Sequence, residues 1–471
     1  MDAVEKMATN KIEFVSIFRK FICLNNRHNT LLSYMKKLFF LLLLGISQLG
    51  NTQMKADDVQ TFVLENGMKF LVVEDFSIPN ANMYLFYKVG SRNEYQGITG
   101  LSHFFEHMMF NGAKKYGPKM FDQTMEFNGG ANNAYTTENV TVYTNWFPAS
   151  AAEVIFDLES DRIASLSIAP SMVESERGVV LSERRTGLEN SPWRQLFQSV
   201  QATAFQEHPY HWPVIGYEDD MKNWTQGDLE RYFKTYYAPN NCVVVVSGAL
   251  KFEEVKALAQ EYLEPIPAQP DPPKVHIVEP PQTGERRITE QKEVATPYLL
   301  ISYHTPDSKS EDYYALSMLS SILGNGQSSR LYSELVDKKQ LATQVFSSFG
   351  ESFDPSLFSV GAITNKNVDE ADLEKAIYAE IDKIKTAGIT EKELQKIKNQ
   401  KLMEFYSQVE TINGKSNTLG TYELFFGDYR KMFNAPENYN KVNRKDIQAV
   451  AEKYFSKSNR TVGVLKSDVE N

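Results

Sequence analysis

The residues whose types and spacing carry the most chemistry are His103, Glu106 and His107, in the stretch GLSHFFEHMMFNG from Gly100 to Gly112. The chain has seven histidines in 471 residues, and two of them fall here among Leu, Phe and Met. On a helix His103 and His107 stand at i and i+4, so their imidazoles share one face. Zn²⁺ takes imidazole nitrogen at about 2.1 Å, and two histidines one turn apart supply it with little ordering cost. Glu106 lies between them. Zinc lowers the pKa of its water to about 7, so a neighbouring carboxylate is basic enough to take the proton. The bland alternative is a pair of hydrogen-bonded core histidines.

A catalytic zinc site needs a third protein ligand and an open position. SMVESERGVVLSERRTGLEN supplies a candidate: Glu176 and Glu183 are seven residues apart, two helical turns, and project from one face. Glu183 as ligand would complete a His-His-Glu set. Glu176, further along that face, could hydrogen-bond His103 or His107 from behind. The same two glutamates could equally be solvated surface charges.

The elements around these residues read as α+β. FVLENGMKFLVVED is two strands about an Asn66-Gly67 turn, and NANMYLFYKVGS is another strand. Helical periodicity runs from about Thr99 to Phe110 and through PKMFDQTMEFN, where Pro118 suits a first turn. ANNAYTTENVTVYTNWFP reads as paired strands, and Ala151 to Leu166 and Ser171 to about Leu188 as amphipathic helices. Hairpins interspersed with helices predict antiparallel sheets with packed helices.

Asp228 to Val246 (DLERYFKTYYAPNNCVVVV) matches Asp446 to Val464 (DIQAVAEKYFSKSNRTVGV) without a gap, pairing Asp228 with Asp446, Tyr236 with Tyr454 and Asn241 with Asn459. That repeat predicts two homologous lobes, only the first carrying the histidines. Seven prolines between Pro265 and Pro281 mark the boundary. The expected division is residues 1–56 as upstream extension and signal peptide, 57–268 as the zinc-binding lobe, 269–284 as linker and 285–471 as the second lobe.

Composition excludes some classes. The net charge of −10 offers no footprint for nucleic acid. MKKLFFLLLLGISQLG, from Met35, has a basic start and an apolar run too short to span a bilayer, so it reads as a secretory signal. The expected location is periplasmic or extracellular, with an uncleaved signal as a conceivable anchor. Cys242 sits alone in an apolar strand as a buried thiol. GNGQSSR lacks the Gly-Lys-Ser/Thr of a phosphate loop.

VGSRNEYQGITGLSHFFEHMMFNG, with NNAYTTENVTVY, ERGVVLSERR, HPYHWPVIG and YYAPNNCVVVV, resembles the pitrilysin/insulinase family of zinc peptidases, the inverzincins, over about Val59 to Leu465. The resemblance implies one zinc per chain on His103, His107 and Glu183, Glu106 as general base, and Glu176 as the auxiliary glutamate. It implies that Asn133 and Ala134 lie on an edge strand that pairs with an extended peptide. It leaves His208 and His211 as loop packing. It further implies a half-sized member that works with a second homologous subunit. Active members carry an Arg and, seven residues on, a Tyr in the second lobe. Here Val336 and Thr343 stand at those places, while Arg330 and Tyr332 match a structural part of the segment. The expected arrangement is a heterodimer whose partner supplies the missing pair, with a homodimer as alternative. The expected activity is an exported endopeptidase acting on unfolded peptides; the alternatives are a narrow processing peptidase or a non-catalytic binding subunit.

Overall fold

The Asn66-Gly67 turn joins β1 (Val59–Val63) to β2 (Lys69–Glu74), which pair antiparallel. The Asn66 amide ties that turn to the carbonyls of Leu263 and Ile266, at 2.8 and 2.9 Å. The fold is a computed structural model that describes residues 54–468; the expected signal at Met35 and the extension before it lie outside them. From Ala56 onward the described residues form one unit with two sheets.

The first sheet adds β3 (Asn80–Tyr87), β4 (Ala131–Thr136), β5 (Thr141–Pro148) and β6 (Cys242–Gly248), in the order β1-β2-β6-β3-β5-β4. The second contains β7 (Arg286–Gln291), β8 (Tyr298–Thr305), β9 (Ala342–Ser348), β10 (Ser356–Thr364) and β11 (Arg460–Lys466), in the order β7-β11-β8-β10-β9. Apart from the extra edge strand β1, the two orders are the same. Each sheet is antiparallel except for one parallel pair, β2 with β6 and β7 with β11, because the last strand of each lobe inserts beside β2 in one and β7 in the other.

Four expected helices form in the first lobe, α1 (Leu101–Met108), α2 (Met120–Phe127), α3 (Ala152–Ser165) and α4 (Pro170–Asn190), and α5 (Pro192–Ala204) comes directly after them. Pro118 is not in the first turn of α2. The helix starts after Lys119, whose φ of 65° is left-handed and breaks the helical path between the proline and Met120.

The repeated segments fold alike. α6 (Gln226–Tyr236) and a later helix at Arg444–Tyr454 each begin with a capping box, closed by Asp228 in one and Asp446 in the other. Asn241 then donates to the Tyr236 carbonyl at 2.8 Å, and Asn459 donates to the Tyr454 carbonyl at the same distance. The polar residues shared between the two segments are therefore those that start the helix, stop it and launch the strand.

Two helices cross between lobes. α5 packs on β7, β8 and β11 of the second sheet, where Leu196 and Val200 meet Leu300 and Leu465. In return, α7 (Ile412–Phe425) packs on β3 and β6 of the first sheet. There the Ser416 hydroxyl reaches Asn82 Oδ1 at 2.7 Å and Ser247 Oγ at 2.8 Å, and Lys69 pairs with Glu423 at 2.6 Å. Each sheet thus owes the cover of one face to the other half of the chain. The Pro-rich stretch 267–283 has no helix or strand, yet it is pinned: Glu279 accepts the backbone N–H groups of Gln206, Glu207 and His208.

Candidate metal centre

α1 is short, and its start is fixed by its neighbours. Gly100 precedes it at φ 88°, and a β-carbon there would run into the Ile215 carbonyl oxygen. Glu94 accepts the N–H groups of Gly100 and Ser102, both at 2.7 Å, so a buried carboxyl satisfies the first turn. Burial pushes that carboxyl up to about 8, against the pull of these N–H donors. Leu101, Phe104, Phe105 and Met108 are buried and hold one face of α1 down, and the Tyr143 hydroxyl donates to the Phe105 carbonyl at 3.1 Å. His103, Glu106 and His107 are left on the half-exposed side.

α4 faces them. The Oε2 atom of Glu183 lies 3.7 Å from His103 Nε2 and 3.5 Å from His107 Nε2. One donor atom from each of the three residues lies within 4.8 Å of the others. Ligands at about 2.1 Å around a tetrahedral ion stand about 3.4 Å apart. The donor set and spacing therefore fit zinc, with a modest contraction.

Glu176 sits behind the pair. Its Oε1 is 2.8 Å from His107 Nδ1, and its Oε2 accepts from the Asn111 amide at 2.6 Å. This holds the His107 ring with Nε2 toward Glu183. Burial works against a charged His107, but the hydrogen bonds to Glu176 and Glu183 outweigh it and push its pKa up to about 9. Burial, then the nearby His107 charge, takes His103 down to about 4. Replacing Glu176 by alanine is expected to weaken zinc binding about 10- to 100-fold, measured by competition with a chelator. An unchanged affinity would remove Glu176 from the site.

Glu106 points to a different partner. Its Oε2 accepts a 2.6 Å hydrogen bond from the Thr136 hydroxyl at the end of β4. Burial raises its pKa and the Thr136 hydrogen bond opposes the rise. β4 is the outer strand of its sheet and packs beside α1, the helix that carries His103, Glu106 and His107. Asn133 and Ala134 are on that edge strand, with Asn133 exposed.

Thr136 and Asn111 were not singled out from sequence. Asn111 lies four residues beyond His107, a spacing that could have drawn attention to it; nothing in the sequence ties Thr136 to Glu106. His208 and His211 are engaged by the loop that carries them, and His208 Nε2 also lies 3.4 Å from Asp354 Oδ2. His208 Nδ1 accepts the Tyr210 N–H at 3.1 Å, and His211 Nδ1 lies 2.6 Å from the Phe205 carbonyl. Arg330 is spent on Glu393, at 2.6 and 2.9 Å. Val336 packs against the second core, and Thr343 lies on β9.

Residues 69–218 match the family described as Insulinase (Peptidase family M16), and residues 223–401 match the Peptidase M16 inactive domain. The chain is 33% identical to the zinc protease PqqE of Helicobacter pylori over 86% of this chain and 92% of that one. A crystal structure of a protease from Helicobacter pylori superposes with a TM-score of 0.84, at 32% identity, covering 87% of this chain and 99% of that one. The periplasmic protease PqqL of Escherichia coli shares the fold at 19% identity and a TM-score of 0.72, over 88% of this chain but 48% of that one. The chain belongs to the insulinase family of peptidases, M16. Its relatives include proteins named zinc proteases, and the match to the inactive domain runs from the end of the first lobe into the second.

Proposed function

We propose that this chain is the catalytic subunit of an exported zinc endopeptidase that cuts extended, unfolded peptides. The observation that carries the reading is the convergence of His103, His107 and Glu183 beside a free strand edge, with Glu106 at hand. Zinc held by those three residues supplies Lewis acidity, which polarises a carbonyl and acidifies water. The chain's own residues do the rest. The backbone of β4 around Asn133 and Ala134 pairs with the peptide and lays it along α1. Glu106 takes the proton of the attacking water and hands it to the departing amine. Thr136 fixes the Glu106 carboxylate, tying the base to the strand that binds the substrate.

Half-length supports a paired enzyme, because this chain matches about half of PqqL. With Val336 half-buried against its own core and Thr343 short, the second lobe has no Arg-Tyr pair at those places to hold a substrate. A second, homologous subunit is the source we assign. Export rests on the Met35 signal and on the periplasmic location of PqqL; among the described residues no helix is long and apolar enough to cross a membrane.

The test is zinc analysis of the purified chain together with quenched-peptide cleavage, alone and with a homologous second subunit. About one zinc per chain and cleavage that rises with the partner are expected. Full-rate cleavage by the chain alone would sink the split of duties; no cleavage under either condition would sink the peptidase reading. In the same assay Thr136→Val is expected to lower kcat roughly tenfold while KM stays near its original value, with Thr136→Ser restoring most of it. A rise in KM alone would show that the hydroxyl serves binding instead.

A further inference from the structure

We propose that Arg194 is a specificity-determining residue that holds a carboxylate of the peptide beside the metal centre, an inference that rests on the peptidase reading above. Arg194 is the third residue of α5, whose first turn is capped by the Ser191 hydroxyl. From there its side chain lies back across α4. The guanidinium rests on Gly187, one turn beyond Glu183, where a β-carbon would overlap it. Arg194 and Glu183 line one open groove with Ser182 and Thr186.

This guanidinium is exposed, and nothing neutralises it. The chain has 60 acidic residues against 50 basic ones. Even so, among the described residues no carboxylate stands within 4 Å of the exposed Arg194 guanidinium, and its side chain makes no hydrogen bond. Glu183 lines the same groove, and a metal ion on the triad would engage it. With a divalent cation on the triad, the groove carries positive potential from two directions. The complementary ligand is a carboxylate, which an arginine fork grips through two parallel N–H···O bonds. That carboxylate has two possible sources in a peptide: an interior Glu or Asp side chain, or the C-terminus itself.

The test uses the full chain, loaded with zinc and carrying Glu106→Gln so that bound peptide is not turned over. Anisotropy of fluorescent peptides reads two matched comparisons, an interior Glu against Gln and a free against an amidated C-terminus. In at least one comparison the acid form is expected to bind roughly tenfold tighter, and which one responds identifies the source. The preference should vanish in Arg194→Ala. It should also fall in Gly187→Ala, which keeps the charge but displaces the guanidinium and favours the helix. Arg194→Glu should reverse it toward a Lys-containing peptide. Equal affinities in both comparisons with Arg194 intact, or a preference that survives Arg194→Ala, overturns the proposal. Cleavage of a peptide mixture by the unmutated chain is scored separately. No hydrolysis there counts against the peptidase reading, while the binding ratios still decide the role of Arg194.

Discussion

Glu106→Gln is expected to keep its zinc and to lose peptide hydrolysis by about 10²- to 10⁴-fold. The substitution is nearly isosteric, and its amide oxygen can still accept from Thr136, which now donates to Glu106 at 2.6 Å. The donor atoms of His103, His107 and Glu183 are untouched. What disappears is the capacity to take a proton. Burial already raises the Glu106 pKa, bringing the carboxylate closer to the basicity that transfer near neutral pH requires. Metal analysis and the quenched-peptide assay on one preparation separate the two roles. Retained activity would remove Glu106 as base, and lost zinc would make it a support of the metal. His107→Ala should lose both metal and activity.

The largest effect on stability is expected far from solvent. Arg162, on α3, is 2% exposed and pairs with Glu159, which is wholly buried. Its Nε donates to Glu159 Oε2 at 2.7 Å, and the guanidinium lies 4.3 Å from the ring centroid of Phe121 and 4.6 Å from that of Tyr143. Arg162→Ala leaves a carboxylate in the core with only the Asn145 amide to answer it. The expected cost is about 3–5 kcal/mol, read as a lower urea midpoint. Removing both charges, as Arg162→Met with Glu159→Leu, should recover most of that loss, since replacing a buried ion pair by packed apolar groups is often near neutral. A single variant as stable as the parent would mean that water reaches Glu159. The site would feel the loss too, because Tyr143 both stacks on Arg162 and donates to the backbone of α1.

Much of the site could be read from spacing. Two histidines at i and i+4, and two glutamates two turns apart, each determine a shared helix face whatever the tertiary structure, and the structure brings those faces together. The repeat was legible for the same reason: Asp228, Asn241 and their counterparts make local hydrogen bonds that a local sequence must encode. What escaped was non-local. The period of α5 says that Leu196 and Val200 are buried, but it does not say in which sheet. Nor does the alternation of β2 and β6 reveal that they run parallel, since both are buried on two faces in a sheet closed by its last strand. Thr136 and Arg194 belong to the same group, because their partners are set by how strands and helices dock.

The crossing helices are counterparts in the duplication. Asp228 and Asp446 differ by 218 positions (446 − 228), and the same step carries α5, Pro192–Ala204, onto 410–422, which overlaps α7, Ile412–Phe425. A half-length forebear built to this plan could shelter its sheet only by lending that helix to a twin and borrowing one back. The present polypeptide would then be the covalent record of an obligate pair, and expressing either half by itself should yield material that dimerises or precipitates, not a working monomer.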